Sequence, residues 1–268
     1  MKLDIKYISA PHVVEGTCKL KEKNAESESS LILRLQPGMT SLFINFQKIK
    51  IERSISDKKK QPQTPYMQFV RESAQILNNY ELEFNTEKIP LRIVNHDKIW
   101  KKWPELMEIL ASKYSGPEVD KELGYMTAIL GNEKKLLDVL LNDFPIRELY
   151  GRELHLIKFD KDSKCHREFQ ETAFSEKILF KQDCFLKITQ KKDILRITGA
   201  ADLHKNKNQM LRICEKSGIN PEHVKTIEQE TVYAGSHIAL IPETVETKFT
   251  IKAEGEILKQ EIITLTIE

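Results

Sequence analysis

The residues of this chain best suited to do chemistry lie in FDKDSKCHREF, residues 159–169, where Cys165 and His166 stand side by side with Asp160 and Asp162 just ahead of them. A thiol beside an imidazole can serve as a nucleophile with its base, and with the carboxylates the same groups could hold a metal. The spacing argues against both. Adjacent residues of a strand point to opposite faces, and a polar loop leaves their geometry unconstrained. The expectation for this segment is a solvated loop.

Other motifs fall short. The histidines (His12, His96, His155, His166, His204, His223 and His237) are never three or four apart, so no helix face presents two as metal ligands. Cys18, Cys165, Cys184 and Cys214 show no two-residue spacing of a zinc or redox motif and read as free thiols of a reducing compartment, with two disulfides in an exported form as the alternative. ILGNEKK offers Gly131 and lysines but lacks the second glycine and the Ser/Thr of a phosphate loop. The Asp160/Asp162 pair lacks the following glycine and terminal glutamate of a calcium loop. The Lys58–Lys60 run has no interleaved aromatics and reads as a solvated connector. No serine-nucleophile elbow or zinc-protease motif occurs. No cofactor or metal is expected, and the balance of evidence is against an enzyme, although a site assembled from distant residues leaves no such trace.

The most distinctive local composition is DKIWKKWPEL, residues 97–106, which holds both tryptophans. Trp beside Lys suits a membrane surface, a base-stacking platform or a packed helix. Trp100, Trp103, Met107, Leu110 and Tyr114 recur at three and four, which is one face of a helix, with Lys98, Lys101, Lys102 and Glu105 mostly on the other. Packing is therefore the expected role. Pro104 removes a backbone donor, so a kink, or a single turn ahead of a fresh helix, is expected there. Ser115-Gly116-Pro117 reads as a stop, with Gly116 in the left-handed position that follows a helix. Two further helical patterns follow, over PEVDKELGYMTAIL and NEKKLLDVLLNDF. The second is apolar around much of its circumference. Trp100, Trp103, Met107, Tyr114, Leu137, Leu140 and Leu141 are accordingly the candidates for an interaction surface or pocket.

The elements that must position these residues are strands on either side. LDIKYISA alternates, SLILRLQPGMTSLFINFQKIKIERS turns at Pro37-Gly38, and YELEFNTEKIPLRIV reads as two short strands. A helix capped by Thr64-Pro65 lies between them. After residue 146 the chain is again strand-rich, interrupted by a helix over NKNQMLRICEKS that Gly218 stops and a brief turn at Asn220-Pro221. The fold class expected is α+β: predominantly antiparallel sheet at both ends with a central three-helix segment packed on it. The divisions are residues 1–95, 96–145 and 146–268, making one or two compact domains.

The chain's 268 residues can bury a core without staples, and its 42 basic against 40 acidic residues argue against a dedicated nucleic-acid binder. No run approaches the roughly 18 apolar residues of a spanning helix. The N-terminus lacks a signal-like apolar stretch, so a cytoplasmic protein is expected, with an exported form left open. The reading that follows is a non-catalytic protein-binding or assembly module, expected to meet a protein partner or a second copy of itself. The alternative is a carrier of an apolar small molecule or lipid between curved sheet and helices, with Phe43, Phe46, Phe69, Trp100 and Trp103 as candidate lining.

Overall fold

Alternation of apolar and polar side chains produces long strands, and in the computed structural model they join one antiparallel sheet of eleven. The structure describes residues 11–22, 25–38, 47–56, 64–85, 89–144, 146–152, 154, 157–189, 192–235, 242–254 and 256–268. The expected strand over 3–10, the arm holding Leu42, Phe43, Ile44 and Phe46, and the lysine run lie outside these residues.

The strands are β1 (His12–Glu22), β2 (Ala25–Pro37), β3 (Gln47–Ser56), β4 (Asn79–Phe84), β5 (Pro90–Ile93), β6 (Lys164–Ala173), β7 (Glu176–Lys187), β8 (Asp193–Ala201), β9 (Thr226–Gly235), β10 (Thr244–Lys252) and β11 (Ile257–Ile267). Their order in the sheet is β5-β4-β3-β2-β1-β11-β10-β9-β8-β7-β6. The N- and C-terminal strands thus share one sheet, because β1 pairs with β11 from Val14–Ile267 to Glu22–Lys259. The helices are α1 (Pro65–Ala74), α2 (His96–Lys113), α3 (Pro117–Leu130), α4 (Glu133–Asn142) and α5 (Lys207–Ser217). The architecture is α+β, with α2–α4 as its central helical segment. By contacts the chain divides into two units, one of residues 14–30 and 152–268, the other of 31–151 with 11–13.

In the second unit the caps follow the sequence. Thr64 Oγ1 accepts from Met67 N at 3.2 Å, and Asn132 Oδ1 accepts from Lys135 N at 3.0 Å. Helix α2 runs continuously from His96 to Lys113 with Pro104 inside it, so no fresh helix starts there. Gly116 is not a helix stop but the residue ahead of α3, at φ 125°, an extended left-sided conformation open to glycine alone. Edge strand β5 is tied down by Glu133 Oε1, which accepts from Ile93 N at 2.8 Å, and by the two-pronged Arg92–Glu83 pair. After α4 the chain makes a single π-helical turn, Arg147–Gly151. A Cβ on Gly151 would lie 2.3 Å from the Leu141 carbonyl oxygen, so only glycine lets this turn close on α4.

In the first unit the sheet curls. Strands β7 and β10 are three positions apart, which on a flat sheet is about 14 Å. Yet the Phe180 and Phe249 rings meet at 5.9 Å between centroids. Arg152 lies on the inner face with its side chain wholly buried. Its Nη1 donates to Glu171 Oε1 at 2.9 Å and to Thr231 Oγ1 at 2.8 Å, and its Nη2 donates to Thr247 Oγ1 at 3.3 Å. The same Glu171 oxygen accepts from Gln182 Nε2 at 2.9 Å and from Gln229 Nε2 at 3.0 Å. Gln182 and Gln229 also bond each other across β8 at 2.7 Å. They meet because Gly199 stands between them: a Cβ there would approach Gln229 Oε1 to 3.1 Å.

Helix α5 docks at the start of β7 through Glu176, whose carboxylate accepts from Arg212 Nε and Lys216 Nζ, each at 2.9 Å. Burial alone would raise the Glu176 pKa, but the hydrogen bonds and charges of Lys216 and Arg212 outweigh it and hold it below the ordinary 4.5.

Two tests follow from these contacts. Arg152→Met leaves a buried carboxylate without its counter-ion and should cost about 3–5 kcal/mol in urea unfolding, whereas Arg152→Met with Glu171→Met should cost less than the two single changes added. Additive losses would mean the pair is not coupled. For Glu176 the folded pKa is depressed, so its stabilisation is present above 4.5 and is lost as pH falls through the lowered folded value. Glu176→Gln should therefore unfold more easily than the parent at neutral pH, with the gap closing on acidification. A gap that does not depend on pH would remove the ion-pair account.

Candidate functional site

Helix α2 has two working flanks. The inward one places Ile99, Trp103 and Leu110 in the core of the second unit. Trp103 Nε1 donates to Thr127 Oγ1 at 2.8 Å, and that hydroxyl lies 3.8 Å from Met107 Sδ, so the indole joins α2 to α3 with its polar atom satisfied. Trp100 is 37 % exposed and lies over Gly131, where an added Cβ would meet its ring at 3.4 Å. Tyr114 donates its hydroxyl to Glu72 Oε1 at 3.1 Å and sets its ring edge-on to Phe69, 5.6 Å between centroids. On α4, Leu140 is buried and Leu137 and Leu141 are half-buried. The structure thus brings Trp103 and Met107 together through Thr127, and places Tyr114 against α1.

The other flank of α2 borders a groove of about 720 Å³. One wall comes from the 3-10 turn Gln75–Leu77, which follows α1 and turns Ile76 toward α2. Asn79 and Asn95 form one end. Asn95 precedes α2 but does not cap it: its Oδ1 accepts from Glu81 N at 2.9 Å, and its Nδ2 donates to the Asn79 carbonyl at 3.3 Å. That end of the groove is thereby pinned to β4. The helix supplies apolar Leu106 and Ile109, with the buried Ile99 beneath them, and along its flank Lys98, Lys101, Lys102 and Glu105. Ile109 is 44 % exposed, a large apolar side chain open at the surface. None of the seven candidate residues read from the sequence lines this groove. The lysines stand one, three and four residues apart, a spacing visible in the sequence that marks a shared flank. Ile76 was beyond reach, since only the turn after α1 brings it there.

In the first unit, Cys165 and His166 sit in strand β6 rather than in the expected loop, with the actual turn at Asp160–Ser163, where Asp160 Oδ1 accepts from Asp162 N and Lys164 N. Their side chains therefore face opposite ways and make no nucleophile–base pair. His166 instead meets Asp183 on the outer face, along a shallow polar depression of about 930 Å³ floored by Thr198 and Ala200. Among the described residues no cluster of His, Cys, Asp and Glu is arranged to hold a metal. Arg152, the centre of the inner face, carried no motif that could have marked it. No helix among the described residues is long and apolar enough to cross a membrane.

No protein-family model matches the chain, and no curated protein matches it. Among solved structures it aligns with Rv2717c from M. tuberculosis over 97 % of this chain and 91 % of that one, at 5 % identity and a TM-score of 0.27. It aligns with a DUF1329 family protein from Desulfovibrio piger over 97 % and 85 %, at 7 % identity and a TM-score of 0.21. A putative outer membrane lipoprotein-sorting protein domain from Vibrio parahaemolyticus aligns over 97 % and 85 %, at 8 % identity and a TM-score of 0.24. Likenesses of this size establish neither a common fold nor a common function.

Proposed function

We propose that this chain binds and carries an amphiphile with an apolar tail and an anionic head, held in the groove beside α2. The observation that carries this reading is the composition of that groove: Ile76, Leu106 and Ile109 offer apolar surface over the buried Ile99, and Lys98, Lys101 and Lys102 line it with a single Glu105. Its volume lies in the range of small-molecule sites, which are apolar with a few placed polar groups. The lysines make no ion pair with another described residue, so a carboxylate or phosphate head finds their charge available. The three lysines are exposed, and a lysine can lay its stem along apolar surface while its head reaches water, which suits a molecule with one wet end. Dodecanoate should bind saturably below its micelle concentration in calorimetric titration. Ile109→Glu should abolish the heat. The triple change Lys98→Gln, Lys101→Gln and Lys102→Gln should weaken binding about tenfold. A flat titration of the parent protein would sink the reading.

A second reading, protein binding by strand addition, is favoured by β6, the ten-residue strand that ends the sheet order. Leu186 N donates to the Ser163 carbonyl at 3.0 Å, so by alternation the backbone groups of His166, Glu168 and Gln170 face away from β7. Glu168→Pro would block that edge and leave the β6–β7 ladder intact. If the protein self-associates through β6, sedimentation should show a dimer that Glu168→Pro converts to monomer. A monomer at all concentrations would argue against self-association.

A further inference from the structure

We propose that Cys165 and Cys184 form a thiol–disulfide exchange site, whose co-reactant is a low-molecular-weight disulfide and whose product is a reversible staple between β6 and β7. The two cysteines are direct register partners. Residues directly opposite in an antiparallel pair share a face, so both thiols project to the same side. The hydrogen bond from Leu186 N to Ser163 O marks 163/186 as a hydrogen-bonded pair, and two residues along, 165/184 is one as well. Cα atoms of such pairs are about 5.5 Å apart. A disulfide requires roughly 4.4–6.8 Å, so the bond can close with little backbone movement. Strand β6 is the last of the sheet and can make that adjustment without disturbing a further neighbour strand.

The two thiols are not equivalent. Cys165 is partly exposed and Cys184 is buried. Burial pushes the Cys184 thiol up to about 11, against the opposing pull of the Arg167 guanidinium, which also hydrogen-bonds it. Cys165 is therefore the entry point and Cys184 the resolving group. The Cys165 thiolate attacks one sulfur of R–S–S–R, forming a mixed disulfide and expelling RS⁻. Cys184, giving up its proton to solvent, then attacks Cys165 Sγ, closing the internal bond and expelling the second RS⁻. Two electrons pass from the cysteine pair to the small disulfide, which leaves as two thiols. The staple is reversible by the same exchange run backwards, when a small dithiol attacks the Cys165–Cys184 bond. The other cysteines lack this arrangement: Cys18 stands opposite Ile263, and Cys214 lies on α5.

The staple would fix the strand that presents Glu171 and Arg167. Arg167 Nε donates to Gln182 Oε1 at 2.8 Å and its Nη2 to the Arg152 carbonyl at 3.3 Å, so the site adjoins the buried network. The test treats the reduced full-length chain with oxidised glutathione and reads intact mass, then maps the peptides. The expected product is lighter by about 2 Da, the two thiol hydrogens, with Cys165 joined to Cys184, and a small dithiol restores the original mass. Cys165→Ser, at the partly exposed position, should abolish this product, and Cys18→Ser with Cys214→Ser should retain it. A chain that accumulates only the heavier glutathione adduct, or closes a bond through Cys18 or Cys214, would overturn the proposal.

Discussion

The curvature of the first unit depends on one buried ion pair. Arg152 and Glu171 are both removed from water, and each would be costly to bury alone. Their arrangement offsets much of that cost by gathering donors and acceptors from β6, β7, β9 and β10 around a single point. Strands that would stand far apart on a flat sheet must curl to bring those groups together. The aromatic contact between Phe180 and Phe249 and the Gly199 gap in β8 are consequences of the same constraint. A buried charge pair adds little stability over a well-packed apolar core. Its value is that few other arrangements of the strands would satisfy it.

The short stretch from Arg147 to Arg152 supplies buried charge to each unit in turn. Arg147 and Glu148 pair at 2.8 Å within the unit that holds α1–α4, and Arg152 enters the core of the other. Between them Tyr150 packs on Phe84, 4.9 Å between centroids, and burial drives its phenol pKa upward. The π-helical turn makes this placement possible by advancing the chain one residue further than an α-turn would, and Gly151 permits its close approach to Leu141. Backbone of this kind is maintained only where the surroundings determine it, and here three consecutive anchors do so.

Helix α2 divides labour between its flanks. One face, carrying Trp103 and Leu110, is committed to packing. The adjoining flank sets lysines beside exposed apolar carbons, which is unfavourable to solvate well and favourable to cover with a molecule of matching character. That contrast, rather than any catalytic geometry, is the strongest functional signal in the described residues. The tryptophans that dominate the sequence of this helix belong to the packing face and to the contact with Gly131.

Several features were decided by sequence alone because their physics is local. Thr64-Pro65, Asn132 and Asn220-Pro221 open helical turns because a side-chain oxygen two or three residues from an unpaired amide needs no distant help, and Gly218 ends α5 because only its backbone reaches φ 62° without strain. Alternation likewise marked most strands and three-and-four spacing the three central helices, and together they gave the α+β class. Tertiary structure decided the rest. The β6–β7 hairpin turns at Phe174 and Ser175, both at positive φ, with neither glycine nor asparagine to signal it. It is held by Phe174 packing on Phe249 and by Glu261 accepting from Phe174 N at 2.7 Å, contacts that reach across the unit. The segment around Cys165 reads as a loop because of the polar run ahead of it, and only its pairing with β7 makes it strand. The union of both ends in one sheet, the burial of Arg152 and the approach of Ile76 to α2 depend in the same way on residues far apart in the chain. No local period or spacing encodes such contacts, because each is fixed by what the partner segment requires to satisfy its own buried groups.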